Sequence, residues 1–129
     1  MQSAYLIGIS RYPDHTLEGV PNDLDLIQRG LRHHQFPDSA IQRFADDQAT
    51  RDGLQRILAR LRADFADVAR GFCFLHVGAS GMLARDPLRG GIKPLDGDES
   101  DFDSALLFAA LNDYLPVRPG VQVVVMLDT

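Results

Sequence analysis

Three short, unbroken apolar runs stand out along the chain: Tyr5-Leu6-Ile7-Gly8-Ile9, Phe72-Cys73-Phe74-Leu75-His76-Val77, and Val121 to Leu127. Each is bounded by turn residues and is short for a helix, which predicts strands buried on both faces. Between them the apolar positions change period. Leu24, Ile27 and Leu31 recur at helical spacing behind Pro21-Asn22-Asp23, predicting a helix that starts there with Asn22 as its cap. Leu54, Ile57, Leu58, Leu61 and Phe65 form a second stripe, with Thr50 as the candidate cap. Ile41 to Ala45 is a short, weak strand candidate, and Ser104 to Leu115 reads as a third helix. Gly81 to Asp98, broken by glycine and proline, reads as an irregular excursion or a small hairpin.

Fully apolar strands alternating with amphipathic helices imply an α/β fold, a three-layer αβα sandwich around a mostly parallel sheet. A chain of 129 residues supports one such core, so residues 1–129 are expected to form a single domain. Ligands and catalytic groups in these sheets gather at the carboxyl ends of the strands. Attention therefore falls on Ser10 to Asp23, on Gly78 to Asp98, and on whatever follows Thr129.

Composition narrows the function. A net charge of −5 with scattered arginines argues against a nucleic-acid groove, which needs clustered cations. No apolar run reaches the roughly 18–20 residues of a membrane span, and Met1 to Ser10 lacks the pattern of a secretory leader. The lone cysteine, Cys73, cannot form an internal disulfide, which makes the cytoplasm the expected compartment. Gly8 and Gly19 are too far apart for a dinucleotide-binding turn. Ile9-Ser10-Arg11 stands where a phosphorelay receiver would carry an acidic pair.

Five segments, in order along nearly the whole chain, resemble the caspase-like and metacaspase family. Tyr5 to Tyr12 looks like the family's opening strand, and Leu17-Glu18-Gly19-Val20-Pro21-Asn22-Asp23 like the segment opening its first helix. Asp47-Gln48-Ala49-Thr50-Arg51 is similar to its Ala-Thr-Arg helix start, and Ile92-Lys93-Pro94-Leu95-Asp96 to its Pro-x-Asp segment. Val123 to Thr129 resembles the strand that presents the nucleophile. The resemblance implies a large-subunit (p20-like) caspase-haemoglobinase-like fold and a cysteine endopeptidase.

That family works with a Cys-His dyad, in which a thiolate attacks the peptide carbonyl and an imidazole protonates the leaving amine. The resemblance puts the histidine in the turn Gly78-Ala79-Ser80-Gly81, at Ala79 or at Ser80 depending on which glycine is aligned. Neither side chain is a base. The nucleophilic cysteine is expected directly after Thr129. Cys73 lies inside an apolar strand and reads as structural; His76, in the same strand, points into a packing layer. His33 and His34 close the first helix, and His15 has no identifiable partner in its loop. The chain as it stands is therefore expected to be an inactive fragment or inactivated form of the protease, or else a natural pseudoprotease that binds peptides or regulates a partner.

The resemblance further implies substrate contacts at Asp23, Asp128 and Gly78, with the two carboxylates holding an Arg or Lys side chain. Asp23 also suits the first turn of a helix for its charge alone. Some family members need calcium, and Asp96, Asp101 and Asp103, with Asp98 and Glu99, make an acidic run. The run lacks the glycine and terminal glutamate of a calcium loop and reads better as a cap for the Ser104 helix. The last strand would form a sheet edge, so a small-subunit-like segment or a second chain is expected to cover it.

Overall fold

The computed structural model describes residues 1–129. Its strands and α-helices run β1 (Gln2–Gly8), α1 (Gly19–His33), β2 (Ile41–Ala45), α2 (Arg51–Asp64), β3 (Gly71–Gly78), β4 (Gly81–Ala84), β5 (Arg89–Ile92), β6 (Leu106–Leu107) and β7 (Val121–Asp128). The main sheet has the order β2-β1-β3-β7 with every pairing parallel. A smaller antiparallel sheet, β4-β5-β6, grows from the end of β3. The α/β class and the parallel sheet expected from the sequence are present.

Alternation along the strands divides the core. Tyr5, Ile7, Cys73, Leu75 and Val77 face α2 and pack on Leu54, Ile57, Leu58, Leu61 and Phe65. Ala4, Leu6 and Phe74 face the other way and meet Leu24 and Leu31 of α1. The two helices thus cover opposite faces of the sheet. Burying one large apolar side chain is worth about 1.5–3 kcal/mol, so the stripe of α2, rather than helix propensity, decides its position. Thr50 caps α2 as expected: its Oγ1 accepts the Gly53 N–H at 3.1 Å.

Three expectations differ. β7, expected to be buried on both faces, is buried only at Val121, because it is the edge strand of the sheet. α1 begins at Gly19, so Asn22 lies inside the helix and does not cap it. Pro21 then occupies the first turn, where its missing N–H costs nothing because those groups lack intrahelical acceptors. Ser104 to Leu115 is not an α-helix. It breaks into 3₁₀ turns at Phe102–Ser104 and Phe108–Asp113, separated by β6. Leu106 pairs with Ile92 and Leu107 with Gly91, so their backbone groups are committed to the small sheet before a helix can propagate through them.

The strand register decides where function can reside. Gly8 lies opposite Gly78, and Gly78 opposite Asp128, so β1, β3 and β7 end level with one another. Their following segments therefore leave the same end of the sheet as neighbours. α1 crosses close to that end: a Cβ added at Gly8 would sit 2.6 Å from Leu24 Cδ1. The glycine lets the helix press onto the strand and brings Asp23 near the sheet. No helix is long and apolar enough to cross a membrane.

Candidate functional site

Two adjoining cavities of about 510 and 530 Å³ open at the carboxyl end of the sheet, and Asp23 and Asp128 line both. The first is walled by Leu26, Ile27, His76, Met126 and Leu127. The second adds Glu18, Ala79 and Thr129. The structure therefore brings together Asp23 from α1 and Asp128 from β7. Asp23 lies beyond the first turn of α1, which removes the helix-terminus explanation for its acidity. Gly78 ends β3 beneath them, where a Cβ would come within 3.3 Å of His76 Nε2.

His76 is 2% exposed, on the α1 side of β3, as its place in the strand predicts. Neither of its ring nitrogens has a hydrogen-bond partner. Burial pushes this imidazole below its ordinary pKa, against an opposing pull from the Asp128 and Asp23 carboxylates. It is therefore a neutral ring lining an acidic cavity. Cys73 is fully buried, and desolvation raises its thiol to about 12, so it is no nucleophile.

The turn after β3 sends its two middle side chains to different places. Ala79 is 3% exposed within the α2-side core, and its N–H donates to the Asp128 carbonyl at 3.1 Å. Ser80 faces the loop after β1 instead. Its N–H donates to the Tyr12 hydroxyl at 3.0 Å, and its carbonyl accepts the Lys93 N–H at 2.8 Å. Its Oγ lies 3.0 Å from Nε2 of His15, whose Nδ1 is 2.9 Å from Asp14 Oδ1. The Tyr12 ring stacks on His15 at 4.8 Å, and the Tyr12 hydroxyl donates to the Lys93 carbonyl at 2.7 Å. Asp46 steadies the same loop by accepting the Ser10 and Arg11 N–H groups, both at 2.9 Å.

His15 thus has two partners where sequence reasoning found none. Asp14 is its chain neighbour, but loop spacing carries no trace of the second, because Ser80 is distant in sequence. Only the adjacency of β1 and β3 brings the two loops side by side, and strand order is not written in any local pattern.

Most of the acidic run Asp96 to Asp103 is engaged in hydrogen bonds or an ion pair. Asp96 Oδ1 accepts the Arg51 N–H at 2.9 Å, Asp98 binds Ser100, and Asp101 accepts the Asp103 N–H at 3.1 Å. Asp101 caps the short 3₁₀ turn rather than the expected helix. Glu99 pairs with Lys93 at 3.3 Å. No group of three or more His, Cys, Asp or Glu side chains converges in a way that would hold a metal ion. Asp96, Asp101 and Asp103, the calcium candidates, are not drawn together.

Compared with known proteins, the chain matches no family model and no curated sequence.

Proposed function

We propose that this chain is the large-subunit-like part of a caspase-type cysteine endopeptidase fold, lacking the histidine of its Cys-His dyad, whose cavity binds Arg- or Lys-containing peptides. One observation carries the reading: Asp23 and Asp128, from opposite ends of the chain, line the same cavities at the carboxyl end of a parallel sheet. Two carboxylates in one pocket attract a guanidinium or ammonium group through charge-assisted hydrogen bonds. Glu18 adds to the negative wall, and Leu26, Ile27 and Met126 provide apolar surface for the aliphatic stem of such a side chain.

In this reading the family histidine corresponds to Ala79 or Ser80, and neither side chain is a base. Ala79 borders the acidic cavity beside Asp128 and Thr129, whereas Ser80 turns toward the neighbouring loop. Peptide binding without dyad chemistry follows. The reading extends to a partner. β7 is an edge strand paired only with β3, and its residues Val124 and Met126 are exposed, Met126 beside Leu26. A small-subunit-like segment or second chain pairing along β7 would cover them.

Calorimetry with short peptides carrying Arg, Lys or Ala at one position, with mass spectrometry for cleavage, tests the pocket. Expected are binding of the Arg and Lys peptides, weakening with salt, and no cleavage. Asp23→Asn or Asp128→Asn should each weaken binding by about tenfold, the worth of one charge-assisted hydrogen bond of about 1.5 kcal/mol. Equal binding of the Ala peptide, or no heat from any, overturns the reading.

A further inference from the structure

We propose that Asp14, His15 and Ser80 form a second chemical centre, in which Ser80 is a nucleophile toward acyl esters and His15 is its general base. The contacts run in series from carboxylate to imidazole to hydroxyl. His15 turns Nδ1 to a carboxylate at 2.9 Å and Nε2 to a hydroxyl at 3.0 Å, the two engagements that nucleophilic activation of a serine requires. The contact to Ser80 joins loops that follow adjacent parallel strands, the place where this architecture assembles its chemistry.

The protonation pattern follows from the partners. Asp14 is held below the ordinary carboxylate range, first by its hydrogen bond to His15 and further by nearby Lys93, so it is ionised and only accepts. Nδ1 therefore carries the ring hydrogen. In the neutral ring Nε2 is then the acceptor, and Ser80 donates its hydroxyl hydrogen to it. A base needs that free lone pair aimed at the proton it will remove.

The surroundings fix the pair. The Ser80 backbone is tied on one side to the Tyr12 hydroxyl and on the other to the Lys93 N–H. Tyr12, itself buried, lies under the His15 ring at an interplanar angle of 15°. Lys93 Nζ, almost wholly buried, stands 3.5 Å from Asp14 and 5.0 Å from the centre of the Tyr12 ring. His15 keeps 34% of its side chain open, so a substrate can approach. Thr16 and Ala79, the chain neighbours of His15 and Ser80, line the acidic cavity beside them.

The step balances without any further reagent than water. Ser80 Oγ attacks the ester carbonyl while its proton passes to His15 Nε2. The tetrahedral adduct collapses, the C–O bond to the alcohol breaks, and that alcohol takes the proton from Nε2. Water then attacks the acyl-Ser80 ester, giving one proton to His15. Release of the carboxylic acid returns a proton to Ser80 Oγ. Asp14 is a positioning residue that holds the ring in this tautomer. The adjacent cavity favours an ester whose acyl part carries a cationic side chain, and that preference alone rests on the peptide-binding reading above.

The test uses the whole chain with a fluorophosphonate probe, followed by peptide mapping, and with p-nitrophenyl acetate and an N-acyl-arginine ester as substrates. Labelling at Ser80 is expected, together with ester turnover that Ser80→Ala abolishes. His15→Ala should slow both by about 100-fold or more, the usual worth of a positioned base. It should also remove the rise of rate with pH that imidazole deprotonation produces. Asp14→Asn should lower kcat with KM little changed, and Asp14→Glu should restore part of that loss, a rescue a purely structural role would not cause. Circular dichroism of each variant separates lost chemistry from lost folding. A folded wild-type chain whose Ser80 is not labelled, or is labelled equally fast without His15, overturns the proposal. Arg-peptide binding by Ser80→Ala reports on the cavity separately: retained binding with no Ser80 labelling refutes this centre alone.

Discussion

Replacing His76 with leucine is expected to stabilise the fold, although the position is in the middle of the sheet. The imidazole is 2% exposed and both of its nitrogens lack partners, while in the unfolded chain water satisfies them. A buried polar group left unsatisfied costs about 1–3 kcal/mol. Leucine fills nearly the same volume without polar atoms, so His76→Leu should gain about 1–3 kcal/mol. His76→Ala should lose stability instead, through the space it opens between α1 and the sheet.

The acid side supplies a second signature. The folded imidazole titrates below its ordinary value of 6.5 because burial penalises its charged form. As pH falls through 6.5, the unfolded chain takes up a proton that the folded chain refuses, so the unfolded state binds more protons. The contribution of this group is therefore complete above that pH and is lost below it, at a limiting slope of about 1.4 kcal/mol per pH unit. Asp128 and Asp23 moderate the loss by favouring the charged ring. Urea unfolding of wild type and His76→Leu, followed by circular dichroism at about pH 7.5 and about pH 5.5, reads both effects. A leucine variant less stable than wild type, with the same loss on acidification, would refute the reasoning and show the ring to be hydrated from the cavity.

Three further outcomes follow from the packing. Cys73, with its thiol raised to about 12, should resist alkylation at neutral pH in the folded chain and react only once urea unfolds it, as measured by mass spectrometry. Thr50→Ala should cost about 1 kcal/mol in urea unfolding, because the Gly53 N–H loses its only side-chain cap. Gly53→Ala should cost more than that cap despite alanine's better helix propensity, since the new Cβ would lie 2.1 Å from the Gln48 carbonyl oxygen and force the backbone to shift. A neutral or stabilising Gly53→Ala in the same assay would show that the 3₁₀ turn Asp46–Ala49, which precedes α2, yields freely.

Local pattern determined much of this molecule. The apolar runs around Leu6 and Leu75 are buried strands and the stripe from Leu54 to Phe65 is a helix face, as their patterns predict, whereas the run around Val125 is a strand buried only at Val121 because it lies at the sheet edge. Thr50 was legible as a cap for the same reason: its contact lies within four residues. Where competing local preferences were close, tertiary contacts decided. Gly19 rather than Asn22 opens α1, because the helix is placed by Val20, Leu24 and Leu31 packing toward the sheet and not by a cap. Ser104 to Leu115 became turns and a short strand because β5 offered Leu106 and Leu107 backbone partners. The site divides in the same way. Asp23 and Asp128 were marked by a resemblance that places acids near the start of the first helix and just before the nucleophile, and the register set them at one cavity. His15 beside Ser80 belonged wholly to tertiary structure. Strand order alone makes those loops neighbours, and strand order is settled by the summed packing of both faces of the sheet rather than by any residue or spacing along the chain.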